Sequence, residues 1–278
     1  MNRKDLNPEA SPEAAYGARL RSAREARGWR QQDLAAAVKY TSGHVSAVET
    51  GRKIPTLRFS RRADVALGLT GTVDTFERAF REMYHGSLLE GFPEYVGHEG
   101  RAAEVRLFES MLVPGPLQTR EYAQALENST VQRGDITPEQ ATERVEFLME
   151  RQSALHRTPS PLVFAVLDES CLRRSIGGPA VMEAQLARLI EFAKQSNTSL
   201  QVSPFSMGER QPFSRLVHLL TLPDRSLMSY VESQTQGQLD RELNSVLPLM
   251  KNYHQLQTEA ASQAESVAMI ERLRKGIS

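Results

Sequence analysis

Ser42, Gly43, His44, Ser46 and Ala47 are spaced to share the outward side of one short helix, with Arg52 and Lys53 just beyond its end. The chemistry open to such a set is recognition rather than bond making. Small and polar groups beginning at a helix N-terminus suit the major groove of DNA, and the two cations can reach phosphates as well as solvent. Thr41 stands where an N-cap is needed, its hydroxyl able to take an orphan backbone N–H. The groups that must hold this face in place are apolar. Leu34 and Val38 lie one turn apart, as do Val45 and Val48, and each pair marks a buried side. Ala35 is small where the two helices approach closely. Residues 29–51 therefore read as two short helices joined by a tight turn. Such pairs are common in all-α proteins, and periodicity alone leaves that plain reading open.

Further residues narrow the choice. Gly17, Leu20, Arg21, Arg24, Gly28, Trp29, Gln31, Leu34, Ala35, Val45, Ser46, Glu49, Gly51 and Pro55 stand in a pattern that resembles the phage-repressor-like helix-turn-helix domains of the Xre family, over residues 16–69. The resemblance implies double-stranded DNA as partner. It implies that Gln31, at the start of the second helix and followed by Gln32, contacts a phosphate. It also implies that Ser42, Gly43, His44 and Ala47 face the bases, and that Arg24 and Glu49 form a structural ion pair. The family's turn glycine is Lys39 here, and a non-glycine residue in a left-handed turn costs roughly 1 kcal/mol.

The 278 residues carry no net formal charge, but the charge is unevenly placed. Residues 1–62 hold 13 Lys or Arg against 6 Asp or Glu, and the remainder carries a matching surplus of acid. A basic N-terminal module ahead of an acidic body fits phosphate binding at one end. The acidic body repels DNA or attracts a basic partner, unless it is only a solvated surface of uneven charge. The 40% hydrophobic and 24% charged composition is that of an ordinary globular protein. No apolar run reaches the roughly 18 residues of a membrane span. The N-terminus lacks the apolar stretch of a signal peptide. The single Cys171 excludes an intrachain disulfide and a thiolate cluster. A cytoplasmic protein with no membrane association, metal or cofactor is expected.

Catalysis finds little footing. His98-Glu99 begins like a zinc-protease helix motif, but position 102 is Ala, so the second ligand is missing. No Walker loop and no nucleophile elbow occur. Cys171 follows Asp168 and Glu169, whose charges oppose a thiolate, and a packed Cys is its default reading. Asp168 and Glu169 could pair as acid and base; capping of the following turn is favoured, with Arg173 and Arg174 in ion pairs. No enzyme is expected. The segment Pro114, Gly115, Pro116, Gln118, Thr119 and Tyr122 is more open. Gln118 and Thr119 offer polar groups at a helix N-terminus, where an anion could dock, and Glu109, Arg151 and Gln152 could line the same region. Either this is an effector pocket or partner surface, or it is a fixed turn with Thr119 as N-cap, the favoured reading.

Residues 109–123, Arg151-Gln152, residues 167–174, and Gln185-Leu186 with Leu189 resemble hallmark segments of actinobacterial regulators of the WhiJ-like type. That resemblance covers residues 14–275. It implies a C-terminal domain of poorly defined function, a small partner protein encoded nearby, and an antitoxin-like or developmental role. Pro116 stands where that family usually has Leu.

These sites must be carried by elements of two kinds. Residues 1–13 read as a flexible arm, 14–84 as a five-helix DNA-binding domain, and 85–278 as a regulatory and dimerisation domain. In the first domain, helices are expected over 14–27, 57–67 and 73–84 besides the central pair, the last presenting Phe76, Phe80, Met83 and Tyr84 on one face. In the second, helices are expected over 98–112 (Val105, Phe108 and Leu112 on one face), from 119, and over 138–155, 179–194, 239–257 and 264–275. Strands are expected over 162–167 (buried on both faces), 199–203, 216–222 and 227–232, the last two as a hairpin. The fold class is mainly α with α+β, the sheet small and largely antiparallel. The small side chains of the reading helix discriminate weakly alone. A homodimer reading half-sites roughly 34 Å apart offsets this. A small-molecule effector of the C-terminal domain is the alternative to a protein partner.

Overall fold

Ser11 opens the first helix by accepting the Ala14 N–H at 3.2 Å, and Pro12 follows in the first turn, where its missing donor costs nothing. The computed structural model describes residue 8 and residues 11–72, 74–85, 91–233 and 237–276, with backbone alone at 81, 82, 84, 85 and 93. Most of the arm expected over 1–13 lies outside the described residues, as do Val73 and the Tyr84 side chain. The chain divides into two compact units, residues 1–88 and 89–278.

The first unit runs α1 (Pro12–Ala26), α2 (Gln31–Val38), α3 (Ser42–Glu49), α4 (Leu57–Leu67) and α5 (Phe76–His85). Leu20, Leu34, Val38, Val45, Val48, Phe59 and Phe76 meet in one core, each fully buried. Each such side chain contributes about 1.5–3 kcal/mol relative to exposure. Gly17 sets how closely α1 can lie on α3. A Cβ there would stand 2.4 Å from the Val48 carbonyl oxygen, so no other residue fits. The caps are side chains placed to suit helix ends. The buried Asp64 carboxylate accepts the Phe76 and Glu77 N–H groups at 2.5 and 2.9 Å, fixing the start of α5. Arg27 donates to the Leu67 carbonyl at 2.6 Å and Arg62 to the Val38 carbonyl at 3.1 Å, placing cations at the ends of α4 and α2.

The second unit runs α6 (Phe92–Glu99), β1 (Glu104–Glu109), α7 (Arg120–Gln132), α8 (Pro138–Leu155), β2 (Leu162–Asp168), α9 (Glu169–Arg173) and α10 (Pro179–Ala193). It continues with β3 (Thr198–Ser203), β4 (Val217–Thr221), β5 (Leu227–Glu232), β6 (Gly237–Asp240), α11 (Leu243–Glu259) and α12 (Gln263–Arg274). Its six strands form one sheet in the order β3-β2-β1-β4-β5-β6. The β1–β2 and β2–β3 pairs are parallel, and β1–β4, β4–β5 and β5–β6 antiparallel. The sheet is thus mixed rather than largely antiparallel. One face packs Val105, Leu107, Val163 and Leu200 with Leu186, Leu189 and Ile270 of α10 and α12. The other packs Phe108, Val166 and Leu219 with Val246, Tyr253 and Leu256 of α11.

The helix expected over 98–112 is corrected here. The helix stops at Glu99, and residues 104–109 are a central strand. Val105 and Phe108 would share a helix face. They instead point to opposite sides of the sheet, because side chains alternate along a strand. Pairing on both edges, with β2 and β4, decides the matter over local propensity. The helix expected from residue 239 begins only at Leu243, since residues 237–240 form the strand β6. Strand 162–167 is the second strand in the chain, and its first residue, Leu162, is exposed rather than buried. The far edge of the sheet, β3, is closed by α12. Gln263 accepts the Leu200 N–H at 3.2 Å, and Ser266 accepts the Val202 N–H at 2.9 Å.

Candidate nucleic-acid interface

The turn between α2 and α3 is built by backbone geometry. Lys39 adopts the left-handed conformation, φ 59 and ψ 49, at the position where a glycine is free of strain. Thr41 then caps α3, accepting the His44 N–H at 3.1 Å. Val45 and Val48 are buried, while Ser42 and Gly43 are exposed and Ser46 and Ala47 half-buried. A Cβ on Gly43 would meet nothing nearer than the Thr41 hydroxyl at 4.0 Å. The fold does not require that glycine, and the start of α3 presents a surface without long side chains.

His44 is placed differently from its neighbours. Its ring packs on Tyr40 and Phe59, with centroids 4.5 and 5.4 Å away. Its Nε2 is shielded from solvent and has no hydrogen-bond partner among the described residues. Burial lowers its pKa, and the charge of Lys53 lowers it further. His44 therefore ties α3 to α4 in this structure rather than standing on the free face with Ser42 and Gly43.

At the other end of α3, Glu49 is 1% exposed and carries three hydrogen bonds. Arg24 Nε donates to Oε1 at 2.5 Å and Nη2 to Oε2 at 3.0 Å; Gln31 Nε2 donates to Oε2 at 2.8 Å. The hydrogen bond to Glu49 raises the Arg24 pKa, outweighing burial. Arg24 also donates to the Trp29 carbonyl at 2.6 Å, locking the link into α2. Gln31, at the first position of α2, is half-buried and held in place; Gln32 beside it is exposed. Arg52 and Lys53 are exposed, their backbone N–H groups turned onto the Ala47 carbonyl at 2.9 and 3.1 Å. The Arg52 guanidinium donates to Thr50 Oγ1 at 2.9 Å. A bare helix start, a held amide and two exposed cations are group types suited to a duplex groove and its phosphates.

The comparisons with known proteins agree with this geometry. A family described as a helix-turn-helix domain matches residues 15–76, and one described as Domain of unknown function (DUF5753) matches residues 92–272. The chain belongs to the DUF5753 family. No curated protein and no solved structure matches it.

Within the DUF5753 domain, the residues weighed as an effector pocket or a fixed turn are taken up by one another. Thr119 caps α7 through the Tyr122 N–H at 3.2 Å. Gln118 donates to the Val113 carbonyl at 2.7 Å, and Gln152 to the Gly115 and Gln118 carbonyls at 2.7 and 2.9 Å. Gln185 completes the lock, accepting the Thr119 N–H at 2.7 Å and donating to the Leu117 carbonyl at 2.9 Å. The Tyr122 hydroxyl accepts the Val113 N–H at 3.3 Å. These contacts make a fixed turn. Arg151 lies against Gly115 of this turn but gives it no hydrogen bond. It is buried in a bidentate pair with Glu99, at 2.5 and 2.8 Å, whose Oε1 also accepts the Tyr95 hydroxyl at 2.7 Å. Glu109 lies instead against His218, 3.2 Å from Nε2.

The DUF5753 domain also places the residues weighed for catalysis. Cys171 is buried, its thiol pushed up by burial and by the charges of Glu109 and Asp168, and directed at the Glu109 carbonyl at 3.4 Å. Asp168 caps α9 through the Ser170 N–H at 2.9 Å. Glu169 is shared between Arg173 at 2.6 Å and the Phe205 N–H at 2.9 Å. Among the described residues, no group of three or more His, Cys, Asp or Glu is placed to hold a metal, and no helix is long and apolar enough to cross a membrane. Sequence reasoning missed Tyr95, His218 and Tyr230, which stack beside the Glu99–Arg151 pair, Tyr95 on Tyr230 at 4.4 Å. Glu99 was weighed only as part of a metal motif. Its true partner stands 52 residues away, a distance local spacing does not reveal.

Proposed function

We propose that this helix-turn-helix regulator binds specific DNA sequences as a homodimer and controls transcription in the cytoplasm, in the manner of actinobacterial regulators of the WhiJ-like type. The observation that carries the reading is the exposed, side-chain-poor start of α3, set by Thr41 and flanked by Gln31, Arg52 and Lys53. In this reading Ser42, Gly43, Ser46 and Ala47 meet base edges, while Gln31, Gln32, Arg52 and Lys53 hold phosphates and fix register. So bare a face supplies few bidentate base contacts, each worth about 1–3 kcal/mol, and two copies reading two half-sites supply the rest. The DUF5753 domain provides dimerisation and binds a small, basic partner protein encoded nearby, in an antitoxin-like or developmental role. The acid surplus beyond residue 62 supports that partner's charge.

A small-molecule reading rests on a different place from Glu109 to Tyr122. A groove of about 390 Å³ lies between residues 212–217 and strands β5 and β6, its lining including Phe213, Val217 and Val231 together with Arg215 and Glu232. Its size is within the range of ligand sites.

The deciding experiment is selection of the purified full chain against random and genomic DNA at a stated, near-physiological salt concentration. An enriched palindrome with half-sites one helical turn apart is expected. Enrichment of a single half-site, with a monomeric mass, removes the dimer. Only general, salt-sensitive binding removes the claim of sequence specificity.

A further inference from the structure

Many helix starts in this protein carry an acid at the positive end of the helix dipole, as with Glu13 in α1, Glu94 in α6 and Glu139 in α8, while α3, α4, α10 and α11 have none in their first turns. Where a cation does occupy the start of a helix in the second unit, at Arg120 of α7, Glu146 neutralises it at 2.6 Å. Two positions in the first unit place a cation at a helix start with no partner for its side chain among the described residues. Arg30 is the N-cap residue of α2, a place favouring Ser, Thr, Asp or Asn, and its side chain makes no cap hydrogen bond. Asp33 is used by the Arg30 backbone N–H at 2.7 Å. Arg58 is the second residue of α4, whose first turn holds no acid. Both side chains are exposed and have no ion pair or hydrogen bond among the described residues. The helix dipole disfavours both; among the described residues α4 offers Arg58 no acid in its first turn, and the one acid in the first turn of α2, Asp33, is engaged by the Arg30 backbone rather than its side chain.

Their places are not random. Arg30 adjoins Gln31, whose amide rests on Glu49 at the end of α3. Arg58 adjoins Phe59, whose ring packs on His44 at the start of α3, and follows Thr56, whose hydroxyl lies 3.4 Å from that of Tyr40. The two unmatched cations thus issue from the segments that brace the two ends of the reading helix.

We propose that Arg30 and Arg58 are phosphate-binding residues of the DNA interface, one beside each end of α3, and that duplex phosphates supply the charge the fold withholds. This inference rests on the DNA-binding reading above.

The test measures binding of the full chain to a mixed-sequence duplex longer than two helical turns, across about 50–200 mM salt. The proteins compared are wild type, Arg30→Gln, Arg58→Gln, and Arg61→Gln as a control. Arg61 lies on the same helix as Arg58 and is paired with Glu77 at 3.1 Å, so its loss changes net charge equally. Each phosphate contact removed shallows the slope of log affinity against log salt by about 0.9, which is about 3.5-fold less affinity lost over that range. Arg30→Gln and Arg58→Gln are expected to show this change, with an unfolding midpoint equal to or above wild type; the control keeps the wild-type slope. A residue kept for structure would lower the midpoint instead. Slopes equal to wild type, or matched by the Arg61 control, overturn the inference while leaving DNA binding intact. A wild-type chain that binds no duplex overturns both.

Discussion

Gln31 donates its amide N–H to Glu49 at 2.8 Å, on the same carboxylate that Arg24 grips with two hydrogen bonds. A residue expected at the DNA phosphates is thereby positioned by the pair that holds α1 to α3. An amide nitrogen has two N–H groups, so Gln31 keeps one for a phosphate while the other is held.

The members of this set separate in experiment. Glu49→Ala strips the buried Arg24 of its bidentate partner, leaving it Glu25 at 3.4 Å and the Trp29 carbonyl at 2.6 Å, and is expected to cost the first unit about 3 kcal/mol. Trp29, the only tryptophan, reports that unfolding by fluorescence in a denaturant titration. Gln31→Ala removes one edge of the network and leaves stability close to wild type, but weakens all DNA sequences about equally. An equal loss of stability from both substitutions contradicts the division of roles.

The free face of α3 is tested by Gly43→Ala. Open space surrounds that position, and alanine favours a helix over glycine by about 1 kcal/mol, so the variant folds at least as well. If α3 lies against bases, affinity or sequence preference changes although stability does not fall. Ser42→Ala and Ala47→Gln are expected to shift preference between sequences, whereas Arg52→Ala weakens all of them. His44→Ala is expected to lower the unfolding midpoint, because its ring packs on Tyr40 and Phe59. Selection profiles for each variant, read beside thermal unfolding, check these assignments.

Lys39→Gly relieves a left-handed residue at φ 59 and is expected to stabilise the first unit by about 0.5–1 kcal/mol, net of the greater freedom of glycine in the unfolded chain. Loss of stability in the same fluorescence titration refutes the strain.

Stability of the second unit is expected to depend on Glu143. Its carboxyl is pushed up to about 8 from 4.5, first by burial and then by Glu139, and its Oε2 has no hydrogen-bond partner among the described residues. Below pH 4.5 the folded and unfolded chains both hold the proton and no stability is lost. As pH rises towards 8 the unfolded chain releases it and the folded chain retains it, so stability falls across that window. Glu143→Gln removes the loss. The variant is expected to gain about 1–2 kcal/mol over wild type between the two ends of the window, discounted for the group's partial exposure. Calorimetry at both pH values checks it, and a gain independent of pH refutes it.

The first unit was legible because its signals are local. Thr41 as cap, the Leu34–Val38 and Val45–Val48 pairs and the turn at Lys39 all lie within one supersecondary motif. The second unit hid its centre. Val105 and Phe108 satisfy a helix period as well as a strand, and what decides between them is pairing with residues 162–167 and 217–221. Gln118, Thr119 and Gln152 looked available because their partners are backbone carbonyls and Gln185, which no composition or spacing rule exposes. Arg30 and Arg58 were passed over for another reason. Exposed arginines are ordinary in a sequence and become unusual only when helix starts and ion pairs are known.

The closure of β3 by Gln263 and Ser266 gives α12 a protective role. Two side chains stand in for the neighbouring strand that the backbone N–H groups of Leu200 and Val202 would otherwise recruit. The last helix is thus a seal on the sheet. A chain shortened before residue 263 would keep its DNA-binding unit and yet carry an open template for strand-by-strand polymerisation.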